Sequence, residues 1–465
     1  MNTINFNNNI SEIFKSIELK EFSNAKQLIS NLGDNINLEI KYNLEGLIYL
    51  RTDNYKSSIV KFKKAIDINP KYLSAYVNLA LAYEKSNDIS NSEKYLYLAL
   101  ELNLQSDAIH NSLGHILFKQ NKIKESITHF EKAVNLNAGN YKAYFNLGNA
   151  FDAMGDYEKS IKFFKKTIEI NNNLPDVHFH LAESFKKNNN CEEALSNYKI
   201  SLKEKLTWLR REKINAKILE CFLILKRKKE YLNAVIQLAK ENTNNRRIAA
   251  TTTYIAHQFN VKNDYPFCKN PLDFIYKGTL MNYFENYNNF LKLIYGEITN
   301  QNFQWEPSSK TTRKGFGTVG NLSEKKLPFM SQLEKYILEE LSKFYNIHKN
   351  KKDTFISNWP KQFQFISWSN RLKKEGYNIT HIHPGGWVSG VFYLKIPKNK
   401  KNDEAGIEFS LHGDNYYIVN NNIPTKTLHP EVGEIVLFPS SLFHRTIPFE
   451  SDEERVCIAF DLCKI

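Results

Sequence analysis

Long apolar runs and most familiar catalytic phrases are missing from this chain of 465 residues. No stretch approaches the roughly 18 consecutive apolar residues of a membrane span, which excludes an integral membrane protein and predicts no membrane span. The opening residues show no basic segment followed by an apolar one, so we expect no secretory signal there. A P-loop, a GxGxxG phrase and a Ser-His-Asp phrase are also absent from the sequence.

Cysteine is scarce and scattered. None of the residues forms a CxxC pair, and the five are Cys191, Cys221, Cys268, Cys457 and Cys463. This spacing excludes a disulfide scaffold and a zinc ribbon, and it fits a reducing compartment. We therefore predict a cytoplasmic protein.

The charge is basic but spread thinly along the chain. Lys and Arg number 63 against 50 Asp and Glu, which gives a formal net charge of +13. A basic balance can indicate a nucleic acid or an anionic surface as partner. The densest runs, at residues 226–229 and 398–401, are short, and no nucleic-acid-binding fold accompanies them. We interpret them as solvated faces and do not expect nucleic acid as a partner.

The first half of the chain repeats with a period of 34 residues. One position of the repeat is always small: Gly46, Ala80, Gly114, Gly148 and Ala182. Another position is always large: Tyr49, Tyr83, Leu117, Phe151 and Phe185. Two helices per unit can pack closely only where side chains are small, while large apolar residues fill the space between adjacent units. The period therefore predicts an array of helix pairs.

The pattern resembles the tetratricopeptide repeat, with the phrase Asn-Leu-Gly at residues 146–148 among its typical elements. The resemblance covers about residues 39 to 205 in five repeats, and residues 9 to 31 look like a degenerate leading repeat. We place the array at residues 1–205. Residues 206–264 are interpreted as a helical cap or linker, because helical patterning continues there without the repeat signature.

An array of this kind implies an extended concave surface that binds a protein or peptide partner. Asn78 and Asn146 occupy the same repeat position, whereas Ser112 stands there in the repeat between them. In some related arrays, asparagines at this position hold a peptide backbone. Two interpretations stay open: Asn78 and Asn146 line a peptide groove, or they are ordinary polar residues of a helix surface.

The 34-residue pattern stops after about Pro266. Residues 270–298 and 329–346 are expected to be helices, and residues 305–322, rich in Gly, Thr and Ser, a loop. From residue 362 the apolar period becomes two. The expected strands are residues 363–369, 388–395, 407–411, 416–419, 434–438 and 456–462. Several short strands at close spacing predict a sandwich or barrel, for which a jelly roll is a good candidate.

Histidines gather in this second half. His381 and His383 lie two residues apart, and an extended chain would place both side chains on one face, where they can chelate one metal ion. His444 follows a predicted strand that ends in Phe-Pro, and Arg455 comes eleven residues later. The sequence therefore offers three metal-ligating imidazoles and one guanidinium.

This arrangement resembles the jelly-roll oxygenases that use Fe(II) and 2-oxoglutarate. It is closest to a bacterial and phage branch with the phrase His-x-His-Pro-Gly-x-x-x-Ser-Gly-x-x-Tyr-Leu, which is complete from His381 to Leu394. The resemblance covers about residues 300 to 465, and we place the domain at residues 265–465. It implies that His381, His383 and His444 bind Fe(II). It also implies that Arg455 binds the cosubstrate 2-oxoglutarate, with O2 as the oxidant. For Tyr393 two interpretations stay open: it hydrogen-bonds 2-oxoglutarate, as the resemblance implies, or it is an aromatic residue of the core.

These residue types suit that chemistry. An Fe(II) centre of this class takes three protein ligands on one face and keeps its other positions open. An arginine presents a planar fork that matches a carboxylate better than a lysine does. Asn378 and Ser389 could line the same pocket or satisfy loop backbone.

The sequence departs from the family pattern at one ligand, because His383 stands where Asp or Glu is usual. Three interpretations compete. His383 ligates and the centre has three histidines; or a carboxylate from elsewhere, such as Glu408, completes a triad; or the metal site is weakened or dead.

The predicted fold is multidomain: an all-α tetratricopeptide-repeat superhelix followed by a double-stranded β-helix, or jelly roll, with flanking helices. The predicted function is an Fe(II)- and 2-oxoglutarate-dependent dioxygenase whose array recruits a partner or a macromolecular substrate. The alternative is a repeat scaffold that carries a degenerate, inactive oxygenase domain. A further possibility is a three-histidine metalloenzyme that does not use 2-oxoglutarate, which would leave Arg455 without a role.

Overall fold

The chain forms two compact units, Met1–Glu204 and Lys205–Ile465, in a computed structural model. The structure describes residues 3–31, 37–174, 176–204, 206–307, 310–398, 401, 403–413 and 415–465. Two positions of the basic run 398–401, Asn399 and Lys400, lie outside the described residues. Within the described part of the chain, no helix combines the length and the apolar character needed to cross a membrane.

The first unit is an all-α superhelix of consecutive helix pairs. Its helices are α1 (Thr3–Glu18), α2 (Phe22–Asn31), α3 (Leu38–Arg51), α4 (Tyr55–Ile68), α5 (Leu73–Lys85), α6 (Ile89–Leu102), α7 (Asp107–Lys119), α8 (Ile123–Leu136), α9 (Tyr141–Met154), α10 (Tyr157–Ile170), α11 (Val177–Lys187) and α12 (Cys191–Ser201). The predicted helix pairs are confirmed, and the pair α1 and α2 stands at the degenerate leading repeat. Several helices are capped at their N-terminus by a short polar residue whose side chain accepts a hydrogen bond from the backbone N–H three residues later, as Asp88 and Asn140 do.

In the three repeats that carry glycine at the small position, one close contact explains it. A Cβ built on Gly46, Gly114 or Gly148 would lie 2.5 to 2.6 Å from a phenylalanine ring of the second helix in the same pair. Those rings belong to Phe62, Phe130 and Phe164, all buried. Glycine at this position therefore lets the ring pack directly on the backbone of the first helix, as the repeat pattern predicts.

The second unit begins with helices and continues into strands. Its elements are α13 (Trp208–Ile224), α14 (Lys228–Glu241), α15 (Arg246–Gln258), β1 (Tyr276–Thr279), α16 (Tyr287–Thr299), β2 (Phe303–Trp305), β3 (Thr312–Thr318), α17 (Pro328–His348), α18 (Thr354–Ser357), β4 (Phe363–Asn378), β5 (Val388–Lys395), β6 (Ile407–Ser410), β7 (Thr425–Leu428), β8 (Glu434–Pro439), β9 (Phe443–Thr446) and β10 (Arg455–Lys464). The structure thus groups residues 206–264, interpreted above as a cap or linker of the array, with the strands.

Two antiparallel sheets share one apolar core. The larger sheet has the order β1-β8-β5-β10-β4-β3-β2, and the smaller has the order β7-β6-β9. Val391 of β5 and Val436 of β8 meet Ile407 and Phe409 of β6 in this core. The apolar residues that alternate along the strands of the second half therefore face each other across the two sheets. The polar side chains that lie between the same two sheets form the candidate site.

One helix expectation and one loop expectation were wrong in detail. Residues 270–298 form an α-helix only from Tyr287; before it lie two short 3-10 helices, at Pro271–Phe274 and Met281–Tyr283, and the strand β1, which pairs with β8. The expected loop at 305–322 contains β3, which pairs with β4. Its Gly315 permits the close approach, since a Cβ there would lie 2.7 Å from the Leu372 side chain.

Residues 416–419 are not a strand, although their sequence alternates like one. The backbone N–H groups of Val419 and Asn420 both donate to Gln258 Oε1 of α15 at 2.7 Å, and Gln258 Nε2 donates to Asn420 O at 3.0 Å. A side chain of α15 thus takes the hydrogen bonds that a neighbouring strand would have made. The third strand of the small sheet is β7, which lies further along the chain.

Candidate metal centre

Main-chain hydrogen bonds bring the three predicted histidines together. His381 and His444 exchange two backbone N–H to O bonds, each 3.1 Å long, in an isolated bridge beside β9. The N–H of His383 donates to Ser440 O at 3.0 Å, in the turn between β8 and β9. The His-x-His segment is therefore aligned on the segment that carries His444, although the two are about 60 residues apart in sequence.

The side chains converge with the same nitrogen turned outward. The Nδ1 of His381 lies 2.6 Å from Ile379 O, that of His383 lies 3.0 Å from Asp461 Oδ2, and that of His444 lies 3.1 Å from Leu442 O. All three partners are acceptors, which assigns the hydrogen of each ring to Nδ1 and leaves each Nε2 with a lone pair. Nε2 of His383 is 3.2 Å from Nε2 of His444.

One nitrogen of each of the three rings lies within 4.8 Å of the other two. Among the described residues, no other group of three His, Cys, Asp or Glu side chains comes together in this way. Lone pairs that face each other this closely repel unless a cation lies between them. The donor set therefore fits a divalent transition metal held by three neutral imidazoles.

Burial keeps the imidazoles of His381 and His444 uncharged. Desolvation, assisted by the neighbouring His383, lowers the pKa of His381 to about 3. The pKa of His444 is also held well below its ordinary value, first by burial and then by His381 and His383. The neutral ring is the form that binds a metal, so the centre is ready for one at neutral pH.

The three histidines and Arg455 line one cavity. Arg455 is only 1% exposed. Its Nε donates to Ala405 O at 3.1 Å, and its Nη1 lies 3.4 Å from Cys457 Sγ. No carboxylate among the described residues forms an ion pair with it. A buried guanidinium without a counter-ion favours an anionic ligand in the cavity.

Tyr393 lies against Arg455 but is not part of the cavity wall. The Cζ of Arg455 is 5.0 Å from the centre of the Tyr393 ring. The Tyr393 hydroxyl is buried and, within the described part of the chain, makes no hydrogen bond of normal geometry. Burial raises the pKa of Tyr393, while the positive charge of Arg455 acts in the opposite direction. In this arrangement the guanidinium of Arg455 packs on the face of the Tyr393 ring, which is a cation–π contact.

The structure contradicts Glu408 as a ligand. Its two carboxylate oxygens accept from Nε and Nη2 of Arg445, at 2.7 and 3.1 Å. In the register of β6 and β9, Glu408 stands opposite Arg445 while Phe409 stands opposite His444. Successive side chains of a strand point to opposite faces, so Glu408 lies on the face away from the metal centre.

Sequence reasoning missed Asp461, the partner of His383. Its Oδ1 accepts from Ser389 Oγ at 2.6 Å, while its Oδ2 lies beside the His383 ring. The available signal was strand alternation, since positions 455, 457, 459 and 461 share one face of β10. Trp368 was missed as well; its ring stacks on that of His383, with centroids 5.5 Å apart.

Polar side chains complete the cavity wall. Asn378, weighed above as a pocket residue, lines the cavity and is 8% exposed. Its Nδ2 donates to Thr446 Oγ1 at 3.3 Å, and its Oδ1 is buried without a hydrogen-bond partner among the described residues. Ser389 also lines the cavity and is bonded to Asp461. The wall thus offers further groups for a polar ligand.

In the first unit, the two candidate asparagines each bond a second asparagine. Asn78 Nδ2 donates to Asn43 Oδ1 and Asn146 Nδ2 to Asn111 Oδ1, both at 2.9 Å. Asn111 and Asn146 line a groove of about 970 Å³, whereas Asn78 is not among its lining residues. The signal for the missed pair was register, because Asn43 and Asn111 stand 68 residues apart, twice the repeat length.

Models of known families match segments in both halves of the chain. Residues 366–461 match the family described as "Putative 2OG-Fe(II) oxygenase". Residues 46–87 and 114–155 match the family described as "TPR repeat", and residues 73–106 and 141–174 match "Tetratricopeptide repeat" families.

Two curated proteins are similar to short stretches of this chain. "Tetratricopeptide repeat domain-containing protein PYG7, chloroplastic" of Arabidopsis thaliana is 37% identical over 57 residues, which are 12% of this chain and 19% of the relative. "Uncharacterized protein ycf37" of Pyropia yezoensis is 33% identical over 75 residues, which are 16% of this chain and 42% of the relative. The chain therefore spans less than half the length of either relative.

Solved structures resemble part of this chain at low TM-scores. A Pseudomonas aeruginosa pilF structure has a TM-score of 0.40 and 18% identity, over 45% of this chain and 95% of that one. YrrB, titled a TPR protein with an unusual peptide-binding site, has a TM-score of 0.32 and 17% identity, over 37% and 90%. Likenesses at these scores carry no information on function. From the family matches, the chain carries tetratricopeptide repeats in its first half and, over residues 366–461, a domain of the family described as "Putative 2OG-Fe(II) oxygenase".

Proposed function

We propose that the second unit is an Fe(II)- and 2-oxoglutarate-dependent oxygenase with a three-histidine metal centre. The observation that carries this proposal is that three converging imidazoles share one cavity with a buried guanidinium that forms no ion pair among the described residues. Each imidazole is held at Nδ1 and presents Nε2. A metal cation would bind to the three Nε2 atoms, and a carboxylate would neutralise the guanidinium of Arg455.

His381, His383 and His444 would hold the metal. Imidazole donors suit several divalent metals, so the donor set alone does not select iron. The family match and the second charge, Arg455, favour Fe(II) with 2-oxoglutarate. When both are bound, they supply the O2-dependent oxidation of a C–H bond, with 2-oxoglutarate converted to succinate and CO2.

Arg455 would bind the distal carboxylate of 2-oxoglutarate. The bond from its Nε to Ala405 O and the ring of Tyr393 fix the plane of the guanidinium. A fixed plane favours paired hydrogen bonds to a carboxylate and gives specificity for a dicarboxylate of one length. The unpartnered Oδ1 of Asn378 is available to accept from a further polar group of a ligand.

The repeat array would bind a protein or peptide, which makes a macromolecular substrate the favoured class. Asn111 and Asn146 present amides to a groove whose other lining includes Phe145 and Lys142. Amides can pair with an extended peptide backbone, and the apolar wall can take side chains. All five cysteines are free in the structure, which supports the proposal of a reducing, cytoplasmic location.

Anaerobic titration of the full chain with Fe(II), followed by 2-oxoglutarate, tests the proposal. We expect one metal per chain and a new visible absorption band that requires 2-oxoglutarate. Succinate should then form on exposure to O2. Metal binding without any effect of 2-oxoglutarate would favour a metalloenzyme of another kind. Failure to bind metal would favour the scaffold with an inactive domain.

A further inference from the structure

Asp461 is a buried carboxylate that forms no ion pair with a Lys or Arg among the described residues. It is 9% exposed, and its oxygens bond to the Nδ1–H of His383 and to the hydroxyl of Ser389. A buried anion of this kind is costly unless a positive charge lies near. Arg246 acts on Asp461 electrostatically without bonding to it, and a metal ion on the other side of the His383 ring would add a second positive charge.

The surroundings of Asp461 are built for this contact. Ser389 Oγ lies 2.8 Å from Ser440 Oγ, so the carboxylate ends a chain of hydroxyl groups. A Cβ at Gly386 would lie 3.2 Å from Asp461 Oδ1 and 2.5 Å from Ser440 Oγ. The second glycine of the His-Pro-Gly-Gly segment is therefore needed where the chain passes over Asp461.

The charge count explains why the contact matters. Two imidazoles and one carboxylate reduce the charge of a divalent metal to +1, whereas three neutral imidazoles leave it at +2. Asp461 places one negative charge beside the Nδ1 of His383, the ring nitrogen that faces away from the metal. The total charge of the centre, with Asp461 included, is then again +1. A carboxylate bonded to a ligating histidine also makes that ring a better donor and fixes its orientation.

We infer that Asp461 is a positioning residue that supplies, through His383, the negative charge that a triad carboxylate supplies directly. The inference rests on the proposed metal centre. It explains how His can stand in place of Asp or Glu at position 383 without loss of the site. In this arrangement the Trp368 ring packs on one face of His383, and Asp461 holds its edge.

The test compares the metal affinity of full-length variants in the absence of O2, with Fe(II) or Co(II) as the probe. Asp461→Asn removes the charge and keeps the size, and the affinity should fall about 10- to 100-fold. Asp461→Glu keeps the charge and should bind more tightly than Asp461→Asn. Asp452→Asn is the matched control, because that side chain is 94% exposed, and its affinity should equal that of the unchanged protein.

Melting temperatures separate this role from a purely structural one. Without metal, Asp461→Asn should melt at the same temperature as the unchanged chain or higher, because a buried charge is gone. The rise in melting temperature on adding metal should be smaller in the variant. If Asp461→Asn does not fold, Asp461→Ser is the second neutral variant for both measurements.

The inference is overturned if the neutral variants bind metal as tightly as the unchanged chain, or if they lose stability equally with and without metal. In both cases the proposed function would stand, since the unchanged protein still binds metal. If the unchanged protein binds no metal, the proposed function fails as well. The two failures are therefore distinguishable in one set of titrations.

Discussion

Arg455 carries a full positive charge in a place from which water is excluded. The ring of Tyr393 and the carbonyl of Ala405 orient it, but neither neutralises it. Across the same cavity, the three histidines present lone pairs without a positive charge. At the scale of single residues, we therefore expect two ligands in this cavity: a cation at the histidines and an anion at Arg455.

Replacing Arg455 by lysine should raise the KM for 2-oxoglutarate. Lysine keeps the charge but loses the fork, so we expect an increase of about tenfold or more, or roughly 1.4 kcal/mol. Metal affinity should not change, because Arg455 is not a metal ligand. Arg445→Lys, on the outer face of β9, is the matched control. An unchanged KM in Arg455→Lys would remove Arg455 from the cosubstrate site.

Glu212 should make the second unit less stable as the pH rises. Burial raises the pKa of this carboxyl to about 7, although Arg246 and Arg247 oppose the shift. Between its ordinary pKa and about 7, the folded chain binds more protons at this site than the unfolded chain, so stability falls with rising pH. Glu212→Gln should remove part of that fall.

Thermal unfolding at pH 5 and pH 8 measures this effect. The difference in melting temperature between the two values should be smaller in Glu212→Gln than in the unchanged protein. Glu230→Gln is the control, because that side chain is about half exposed at 52%. An identical pH dependence in all three proteins would contradict the assignment.

At the scale of secondary-structure elements, the close packing of three helix pairs depends on a contact between a glycine of the first helix and a phenylalanine ring of the second. Gly148→Ala would place a Cβ 2.6 Å from the Phe164 ring, between α9 and α10. The helix itself gains up to about 1 kcal/mol from alanine, but overpacking a close-packed core typically costs about 1–3 kcal/mol. We therefore expect a net loss of stability.

The control is a glycine of another helix with space around it. Gly296 of α16 has nothing within 4 Å of the position that a Cβ would take. Gly296→Ala should therefore leave stability unchanged or raise it by up to about 1 kcal/mol. Urea unfolding, with hydrogen exchange to locate the affected helices, measures both. Equal effects of the two substitutions would contradict the packing account.

The same contact explains why the array could be predicted from the sequence. Gly46, Gly114 and Gly148 recur in fixed register with the phenylalanines that cover them, so periodicity alone locates the helix pairs. The strands were harder to predict, because their partners are distant in sequence. Residues 416–419 alternate like a strand but bond to Gln258 instead, and β3 is hidden by its two glycines.

The site divides in the same way. His381 and His383 are found by a local phrase, and His444 and Arg455 by their spacing from a strand. Asp461 has no local motif, since it lies 78 residues after His383 and meets it only when β10 passes behind the ring. The pairing of Glu408 with Arg445 likewise follows from the register of two strands, which sequence alone does not give.

On the scale of the whole molecule, α15 belongs structurally with the strands. Arg246 Nε donates to Pro384 O at 2.9 Å, directly after His383 in the chain. Further along α15, Tyr254 Oη donates to Tyr417 O at 2.9 Å. A fragment that begins at residue 265 would lose these contacts, whereas a fragment that begins at residue 206 would keep them.

We expect the 206–465 fragment to bind one metal ion with the affinity of the full chain. The 265–465 fragment should bind at least about tenfold more weakly or fail to fold, because the segment that carries His383 loses its support. Circular dichroism and metal titration of both fragments check this. Equal folding and affinity in the shorter fragment would show that α15 is dispensable.

Diffraction data collected at the iron edge, from crystals grown anaerobically with Fe(II), locate the metal itself. We expect one anomalous peak within bonding distance of the Nε2 atoms of His381, His383 and His444, with Asp461 still bonded to the Nδ1 of His383. No protein carboxylate should be a ligand. A carboxylate oxygen bound to the iron, or a peak away from these three nitrogens, would show that the proposed three-histidine centre is wrong.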